Sequence, residues 1–428
     1  MPNATVLREG VGSRGRPGGA LPASPFPQDR MGARPHVCFV APYLWPVLAR
    51  DASIKVVGGA EVQQAVLARL FRRAGYRVSV ICQSFGQPER TEVDGIDVRA
   101  VFRQEDGLPI LRFFHPRLTR MWRALHDVDA DIYYQRSAAH LTGVIAEFCR
   151  RNGKRSIYAG ASDRDFDPGR QQIRYRRDRW LFEHGLRTVD RIVAQNAAQQ
   201  EACRRHYGRE ATLIPSCYEI PEGSRVDPQD LVLWVGTIHS YKQPEMLLEI
   251  ARRLPQRRFV MIGGSAAPGE RLRHGYYEAI RDQAAKLPNV DFKGFMPLAE
   301  VEKWFDRARV LVNTSVYEGM PNIFLQAWAR GIPTVATVDV GAGRAYSKVG
   351  DEREAAEEIQ RLFSDELHWA RASARCREYF ERSHSSSEVL SRYARVFEEL
   401  MVGMKRNTAG TESETAESSR ESRIEPRP

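Results

Sequence analysis

Short apolar runs alternate with amphipathic stretches along most of the chain, and this alternation predicts strands that are each followed by a helix. The runs HVCFVA, LVLWVG and VLVN, which begin at His36, Leu231 and Val310, have the length of buried strands. The stretch AEVQQAVLARLFRRAG, which begins at Ala60 and closes at Gly75, places its apolar side chains on one helical face. Repeated strand–helix–strand units of this kind form parallel sheets with helices on both faces.

The pattern predicts two α/β domains, because the apolar periodicity breaks between Pro215 and Asp230, where proline, glycine, serine and aspartate recur. The strands predicted before this break cover residues 36–41, 77–82, 95–101, 131–134, 155–159, 191–194 and 211–214. Those predicted after the break cover residues 231–236, 259–264, 290–294, 310–313 and 334–338. Residues 389–400 predict a last amphipathic helix.

The stretch 310–338 contains the clearest candidate for chemistry. Pro321 lies where a helix begins, since its missing N–H costs nothing there, and Gly331 suits the left-handed position after the helix end. The loop Glu318–Met320 leads into the N-terminus of this helix, where free N–H groups and the helix dipole favour an anion such as a diphosphate. Because a carboxylate repels phosphate, Glu318 is expected to face another group, such as sugar hydroxyls.

This stretch, EGMPNIFLQAWARGIPTVA, resembles the retaining, nucleotide-sugar-dependent glycosyltransferases of family 4, which have the two-domain GT-B fold. That family carries Glu-Gly-x-Pro, then a second acid with seven residues between the two acids, and an ending with Ala, Gly and Pro. Here Glu318 is the first acid, and Gln326 stands in place of the second. An ordinary strand–helix–strand unit with a capping glutamate is the alternative interpretation.

The resemblance implies an α/β fold in which two Rossmann-like domains with parallel sheets face each other across a cleft. The acceptor is then expected on the first domain and the donor on the second. The expected segments are a disordered tail (1–33), the first domain (34–215), the second domain (216–385), a helix crossing back to the first domain (386–404) and a disordered tail (405–428).

The resemblance also assigns residues of the second domain to the donor. In the family, an Arg follows the glycine matching Gly236 and a Lys comes a few residues later, both holding the diphosphate; here Thr237 and Lys242 occupy these places. Glu318 would orient the donor sugar, Gln326 would hold the ribose, and Lys242 would stabilise the departing diphosphate. The other donor-binding candidates are Gly263, Phe295 (where the family grips the base), Gly319, Met320, Pro321 and Asn322.

The candidates in the first domain lie at two predicted loops. Gly58 and Gly59 precede a helix in a Gly-Gly-x-Glu pattern that, in the family, lies near the phosphates and the acceptor. A tight helix entry explains two glycines equally well. The strand 155–159 leads to Ser162 and Asp163, where many relatives have a His that contacts the sugar. Because ligands of open α/β sheets bind beyond the carboxyl ends of strands, Asp163 is a candidate catalytic residue.

Asp163, Asp165 and Asp167 alternate in SDRDFDP, but no metal is expected at this site. An EF-hand calcium loop needs Gly at its sixth place and Glu at its twelfth, where this chain has Pro168 and Arg174. The Asp-x-Asp of metal-dependent glycosyltransferases belongs to a different, single-domain fold, and here a helix N-terminus and a lysine already neutralise the diphosphate. Two interpretations remain: a polar turn whose side chains bond nearby backbone, or Asp163 accepting a hydrogen bond from a substrate hydroxyl.

The composition restricts the cellular compartment in which the protein is expected. The 428-residue chain has six cysteines without a Cys-x-x-Cys pair, which argues against zinc and disulfides and favours the cytoplasm. No apolar run approaches the roughly 18 residues of a membrane span, and the first thirty residues lack the apolar core of a signal peptide. Gly10, Gly12 and Gly15 fit G-x-G-x-x-G, but no strand precedes them and no helix follows, so a dinucleotide site is rejected.

The net charge of +10 admits two interpretations of equal weight. One is a solvated basic surface. The other is attraction to anionic donors and to an anionic membrane leaflet, with peripheral contact at the inner face of the membrane. Nucleic acid is not an expected partner, because no recognisable nucleic-acid-binding module interleaves basic and aromatic residues.

We therefore predict a retaining hexosyltransferase that moves a hexosyl group from a nucleotide diphosphate sugar to a glycan or lipid-linked glycan, with no cofactor besides the donor substrate. A non-catalytic nucleotide-sugar-binding subunit is the alternative. Thr237 and Gln326 favour that alternative, whereas Glu318 and Lys242 favour catalysis. A nucleotide-sugar epimerase of similar two-domain build, which would change the sugar without an acceptor, is a third interpretation.

Overall fold

The strands form two sheets in the computed structural model, which describes residues 34–51, 58–103, 105–107, 113–171, 173–265 and 275–421. The first sheet contains β1 (His36–Val40), β2 (Arg77–Cys82), β3 (Arg90–Val93), β4 (Ile96–Ala100), β5 (Ile132–Arg136), β6 (Arg155–Ala159), β7 (Arg191–Ala194) and β8 (Thr212–Leu213). The second sheet contains β9 (Leu231–Val235), β10 (Arg258–Ile262), β11 (Val290–Gly294), β12 (Val310–Asn313), β13 (Thr334–Ala336) and β14 (Ser347–Lys348).

Helices alternate with most of these strands. Those before β9 are α1 (Trp45–Leu48), α2 (Gly59–Arg73), α3 (Thr119–Val128), α4 (Leu141–Asn152), α5 (Arg176–Thr188) and α6 (Ala197–Tyr207). Those after β9 are α7 (Pro244–Arg253), α8 (Tyr276–Ala284), α9 (Leu298–Phe305), α10 (Asn322–Ala329), α11 (Glu352–Ser364), α12 (Glu366–His384) and α13 (Ser386–Glu421). In the described part of the chain, none of these helices is both long enough and apolar enough to cross a membrane.

The sheet topology confirms the predicted fold class of two α/β domains with parallel sheets. The first sheet has the order β3-β4-β2-β1-β5-β6-β7-β8, and the second has the order β11-β10-β9-β12-β13-β14. The described strand pairs are parallel except for the hairpin of β3 and β4. Its turn residues Asp94 and Gly95 have φ values of 54° and 77°, as an Asp-Gly hairpin turn requires. The sequence pattern does not predict β3, because the half-exposed residues of this strand form no apolar run.

Most predicted strands lie where the apolar runs placed them. The predicted strands 77–82, 155–159, 191–194, 290–294 and 310–313 have the observed bounds, and the others differ by one or two residues at one end or at both ends. The last helix is longer than predicted: its backbone is helical from Ser386 to Glu421, including residues whose composition predicted a disordered tail. The predicted disordered tail 1–33, with its G-x-G-x-x-G motif, lies outside the described residues.

Helix α10 is held beside the second sheet by a buried apolar face. Phe324, Leu325 and Trp328 are fully buried and belong to the same apolar cluster as Leu233 of β9 and Leu311 of β12. Burying side chains of this size contributes roughly 1.5–3 kcal/mol each. Because this face is fixed, the N-terminus of α10 is held at the edge of the sheet where β9 and β12 end.

The last helix contacts the layer of the first sheet, although it follows the second sheet in sequence. The rings of Tyr393 and Phe397 in α13 lie edge-on against the ring of Phe71 in α2, at centroid distances of 5.3 and 5.2 Å. The hydroxyl of Tyr393 also lies 3.2 Å from the hydroxyl of Tyr134 in β5. These contacts tie the C-terminal segment to the first sheet.

Candidate active site

The carboxyl ends of the second sheet form one side of a cleft, which we call the second-sheet wall. Gly236, Gly263 and Phe295 follow β9, β10 and β11, and the loop 314–321 follows β12. A Cβ on Gly263 would lie 1.9 Å from the carbonyl oxygen of Gly236, so only glycine lets these two loops touch. The parallel strands thus bring the predicted donor-binding residues of separate loops to one edge, as open α/β sheets do.

Lys242 and Glu318 meet on this wall. The Lys242 ammonium donates to Oε1 of Glu318, and the hydroxyl of Ser315 donates to the same oxygen at 2.7 Å. Both charged side chains are largely shielded, with exposed fractions of 16% and 14%. The hydroxyl of Thr314 donates to the carbonyl oxygen of Lys242 at 2.6 Å, which fixes the turn that carries the lysine. Thr237, where the family has Arg, is exposed and offers a hydroxyl instead of a cation.

The N-termini of α10 and α2 face each other across the cleft. Pro321 is the extended residue before α10, and the side-chain amide of Asn322 donates to the carbonyl oxygen of Gly59 at 3.0 Å. Gln63 of α2 donates to the Asn322 side-chain oxygen at 2.8 Å. Gly58 is the extended residue before α2. Two helix N-termini therefore direct their positive ends toward the same space, which favours a bound anion.

Gln326 is held by a carboxylate that no sequence motif predicted. Its side-chain nitrogen donates to Oε1 of Glu302, in α9, at 2.7 Å. A carboxylate only accepts hydrogen bonds, so the amide nitrogen must face Glu302 and the amide oxygen must point elsewhere. Both Gln326 and Glu302 line the cleft. Gln326 therefore presents an acceptor, and Glu302 fixes its orientation.

Glu302 is in turn anchored by a buried arginine. Arg330 donates to Oε2 of Glu302 at 2.9 Å and to Oδ1 of Asp306 at 2.7 Å, and its side chain is fully buried. The hydroxyl of Tyr218 donates to Glu302 at 2.5 Å and accepts from Arg330 at 2.9 Å. Burial raises the pKa of Tyr218, so its hydroxyl stays protonated. Because every partner is satisfied, Glu302 is rigid behind Gln326.

The opposite side of the cleft, the first-sheet wall, carries Asp163 among amide side chains. Asp163 is exposed, and its Oδ1 accepts from the amides of Gln199 at 2.9 Å and Asn196 at 3.2 Å. A Cβ on Gly319 would lie 3.5 Å from the side-chain oxygen of Gln195 and 3.7 Å from the amide nitrogen of Gln199. The loop that carries Glu318 therefore lies directly against this wall.

The neighbouring aspartates have structural roles. Asp165 is buried and accepts from the hydroxyl of Tyr158 at 3.1 Å and from the backbone N–H of Ala161 at 2.8 Å. Burial raises the pKa of Asp165. Oδ1 of Asp167 accepts from the backbone N–H of Gly169 at 3.0 Å. Asp165 and Asp167 thus fit the predicted polar turn, and the described residues contain no group of acidic, His and Cys side chains that could hold a metal.

Aromatic contacts join the two walls near Glu318. The ring of Tyr317 stacks on that of Tyr241 at 5.0 Å, and the guanidinium of Arg164 lies over the Tyr317 ring at 3.9 Å. Arg164 belongs to the same turn as Asp163. A cation–π contact of this kind is worth roughly 0.5–2 kcal/mol. It holds the Asp163 turn next to the Glu318 loop.

A cavity of about 740 Å³ lies between α2 on one side and α9 and the start of α10 on the other, and it is of the size of a small-molecule site. Its lining includes Val62, Gln63, Val66, Phe295, Glu302, Asn322 and Gln326. Aliphatic side chains of α2, the aromatic ring of Phe295 and polar side chains of α9 and α10 thus line one cavity. Such a lining suits a planar base and its attached ribose.

Local sequence patterns predicted Glu318, Lys242 and Asn322 at this cleft, but they did not predict the side chains that hold these residues. Glu302 and Arg330 lie on different helices, and their pairing is a tertiary contact. A signal was nevertheless present: Arg330 lies four residues after Gln326 on a predicted apolar helix, and a buried arginine requires acidic partners. No such signal marks the amide side chains of the first-sheet wall, Gln195, Asn196 and Gln199. Residues with amide side chains follow many strands and do not by themselves predict a site.

Comparisons with known proteins agree with this architecture. Residues 57–219 match the family model described as Glycosyltransferase Family 4, and residues 229–365 match the model described as Glycosyl transferases group 1. The O-antigen biosynthesis glycosyltransferase WbnH of Escherichia coli is 24% identical over 208 residues, or 46% of this chain and 54% of WbnH. The chain thus matches about half the length of this curated relative.

Solved structures show the same fold. Sucrose-phosphate synthase from Thermosynechococcus elongatus is 18% identical, with a TM-score of 0.67 over 86% of this chain and 100% of that chain. HepE from Anabaena, solved in complex with UDP-glucose, is 16% identical, with a TM-score of 0.64 over 85% of this chain and 100% of that chain. These likenesses confirm the predicted fold.

Proposed function

The chain belongs to the family 4 glycosyltransferases and has their GT-B fold, and from this premise we propose that it transfers a hexosyl group from a nucleotide diphosphate sugar to an acceptor with retention at the anomeric carbon. The observation that carries this proposal is the convergence of Lys242, Glu318 and the N-terminus of α10 at one point of the cleft. Cation, carboxylate and helix end are the groups that a diphosphate and a sugar require.

The donor would replace the contact between Lys242 and Glu318. Its diphosphate would take the Lys242 ammonium and the backbone N–H groups at the start of α10, because these supply positive charge. Glu318, released from the lysine and still held by Ser315, would then accept hydrogen bonds from hydroxyls of the donor sugar. The nucleoside would lie in the cavity, with its base against Phe295 and a ribose hydroxyl donating to the Gln326 side-chain oxygen.

Transfer breaks the bond between the anomeric carbon and the β-phosphate oxygen, and the electron pair stays on the departing diphosphate. An acceptor hydroxyl oxygen then bonds to the anomeric carbon on the face that the diphosphate leaves, and its proton passes to the departing phosphate oxygen. Chemistry of this kind depends on stabilising the leaving group more than on a strong base. Preorganised positive groups at the developing charge contribute roughly 3–4 kcal/mol each in other enzymes.

The acceptor would lie against the first-sheet wall. Asp163 is exposed there and lies beside the Glu318 loop, so it can accept a hydrogen bond from an acceptor or donor hydroxyl. We propose a carbohydrate or lipid-linked carbohydrate as acceptor, in line with the O-antigen biosynthesis role named for WbnH. The cysteines of the chain are free and buried, which supports action in a reducing compartment such as the cytoplasm.

The test is a donor screen with the purified full chain. Nucleotide diphosphate sugars that differ in base and hexose are incubated with glycan acceptors, and the released nucleoside diphosphate is measured. NMR of the product then gives the anomeric configuration. The matched controls are Glu318→Gln, which keeps the shape and removes the charge, and Glu300→Gln, which changes an exposed glutamate paired with Lys303 on α9.

Each outcome of the screen decides between the predicted functions. Donor-dependent product with a retained anomeric configuration, lost in Glu318→Gln and kept in Glu300→Gln, supports the proposal. Tight donor binding without product from any acceptor would instead identify a nucleotide-sugar-binding subunit. A changed sugar without an acceptor would identify an epimerase, and an inverted product would refute retention.

A further inference from the structure

An exposed basic and aromatic surface lies at the start of α5, outside the cleft. We call it the arginine–aromatic face, and it consists of Arg174, Tyr175, Arg176, Arg177, Arg179 and Trp180. Trp180 and Tyr175 are 65% and 56% exposed, and Trp180 is the most exposed large hydrophobic side chain of the described residues. Two large aromatic rings exposed at the start of one helix favour an interaction site.

The charge of this face is not balanced by nearby acids. Asp178 is the one acidic residue between Arg174 and Trp180, and it pairs with Arg177 at 2.7 Å. Over the described ranges, no carboxylate lies within ion-pairing distance of Arg174, Arg176 or Arg179. The face therefore projects positive charge into solvent and attracts an anionic partner.

The face cannot turn inward, because the opposite side of α5 is tightly packed. Phe182 and Leu186 are fully buried. A Cβ on Gly185 would lie 2.6 Å from the backbone nitrogen of Gly143 in α4, so the two helices are in close contact. The indole ring of Trp180 stacks on the His184 ring at 5.5 Å, which keeps it on the outer side of the helix. The exposed rings are thus presented on a rigid element.

We propose that the arginine–aromatic face docks the protein on an anionic lipid bilayer. The guanidinium groups of Arg174, Arg176 and Arg179 would contact lipid phosphates, and Tyr175 and Trp180 would enter the headgroup layer. Tyrosine and tryptophan are enriched at membrane interfaces, and arginines strengthen binding to anionic leaflets. A single-stranded nucleic acid fits less well, because it requires a groove along its backbone, whereas this surface is the outside of a helix.

The position of the arginine–aromatic face relates membrane docking to the proposed transfer reaction. The turn Asp163–Phe166, which carries Asp163 of the first-sheet wall, packs near α5, because its Phe166 belongs to the same apolar cluster as Phe182 of α5. Docking would therefore bring the proposed acceptor side toward the bilayer, as a lipid-linked acceptor requires. Only this relation rests on the proposed function; binding to vesicles is measured without donor or acceptor and stands or falls independently.

The experiment measures binding of the full chain to sedimented vesicles. One set of vesicles is pure phosphatidylcholine, and the other contains phosphatidylglycerol as the anionic lipid. One variant combines Arg174→Gln, Arg176→Gln and Arg179→Gln, and a second combines Tyr175→Ser with Trp180→Ser. The controls are Arg204→Gln with Arg205→Gln, which changes exposed arginines of α6, and Leu367→Ser, which changes an apolar side chain of α12 that is 60% exposed.

Wild type is expected to bind the anionic vesicles, to bind less as salt rises, and not to bind pure phosphatidylcholine. The triple arginine variant should lose about a hundredfold in affinity, since each arginine near an anionic leaflet contributes roughly fivefold. The aromatic variant should lose about tenfold, and both variants should keep the wild-type melting temperature and turnover of a water-soluble acceptor. Absence of wild-type binding, equal losses in the α6 control, or tighter binding to a single-stranded oligonucleotide at the same salt would each overturn the proposal.

Discussion

The second-sheet wall of the cleft is built from charges that pair with one another, whereas the first-sheet wall is built largely from amides. On the second-sheet wall, Lys242 pairs with Glu318, and Arg330 pairs with Glu302. On the first-sheet wall, the one exposed carboxylate, among the described residues that meet the Glu318 loop, is Asp163, and its partners are neutral amides.

This difference assigns different tasks to the two walls. A charged side chain that is paired with another protein side chain can exchange that partner for a ligand with the partner's sign of charge. Lys242 can therefore exchange the Glu318 carboxylate for a diphosphate. An amide both donates and accepts and carries no charge, so the first-sheet wall can meet varied hydroxyls without a large electrostatic cost. Substitutions on the second-sheet wall should therefore have large, ligand-specific effects, and those on the first-sheet wall should have smaller ones.

The largest effect is expected for Glu318→Gln. Turnover should fall by about a hundredfold or more, because the carboxylate that orients the sugar is lost. Nucleoside diphosphate should bind at least as tightly as before, because Lys242 no longer has an anionic partner. Steady-state kinetics and calorimetry measure the two quantities. Wild-type turnover, or a parallel loss of nucleotide affinity, would contradict the proposed division of roles.

Lys242→Ala should act on the diphosphate and leave the nucleoside contacts intact. Removing one member of a shielded charge pair costs roughly 2–5 kcal/mol, so affinity for nucleoside diphosphate should fall at least about thirtyfold. Affinity for the corresponding nucleoside without phosphates should not change. Lys348→Ala, which removes a 55% exposed lysine paired with Asp339, is the control. Normal diphosphate binding by Lys242→Ala would place the phosphate site elsewhere.

The pair of Glu302 and Gln326 can be tested by exchanging its two side chains. Gln326→Glu alone would place two carboxylates at hydrogen-bond distance, which should weaken nucleoside diphosphate binding by roughly 1–3 kcal/mol. Adding Glu302→Gln restores one donor and one acceptor, so the double variant should recover most of the affinity. In the double variant, the second carboxylate oxygen at position 326 takes the place of the wild-type amide oxygen, so an acceptor remains for the ribose.

Deoxyribose analogues separate ribose recognition from a general loss of packing. Wild type and the exchanged double variant should prefer the ribonucleotide to its 2′-deoxy or 3′-deoxy analogue, and Gln326→Leu should lose this preference. Asp306→Asn, which also changes a partner of Arg330 but does not touch Gln326, should keep it. An unchanged preference in Gln326→Leu would remove Gln326 from the ribose site.

A smaller effect is expected on the first-sheet wall. Asp163→Asn keeps an oxygen that can accept hydrogen bonds from Gln199 and Asn196. We therefore expect kcat/KM for the acceptor to fall by less than about tenfold, mainly because KM rises. Asp165→Ala should instead lower the free energy of unfolding by roughly 1–3 kcal/mol, because the Tyr158 hydroxyl and the Ala161 N–H lose their buried acceptor. Comparing kinetics with thermal melts separates the two. A larger loss of turnover in Asp167→Asn than in Asp163→Asn would contradict this assignment.

No effect is expected from removing divalent metal. The proposed transfer uses Lys242 and helix N-termini to neutralise the diphosphate, so excess chelator should leave turnover unchanged. The assay compares rates with chelator alone and with added magnesium or manganese. If chelator abolishes activity and magnesium or manganese restores it, this prediction is wrong. The aspartates of the first-sheet wall would then be the expected metal ligands, and this wall would be the catalytic centre and the more strongly charged side of the cleft.

The sequence determined most of the strands, their alternation with helices along the chain and the loop that carries Glu318. These features depend on local patterns: apolar runs for β1, β9 and β12, and proline and glycine at the two ends of α10. The hairpin strand β3 was not predicted, because it lacks an apolar run, although the Asp94–Gly95 turn marks its end. Local patterns also supplied the positions of Gln326 and Lys242.

The tertiary structure alone decided which side chains those residues meet. Glu302 reaches Gln326 from another helix, and Arg330 unites Glu302, Asp306 and Tyr218 over sequence separations that no local pattern spans. Exposure is likewise a tertiary property: the sequence gives α5 its arginines and rings, but only the packing of Gly185 against α4 leaves Trp180 in solvent. Periodicity specifies which face of an element is apolar, whereas the partner of a charged side chain depends on how distant elements pack.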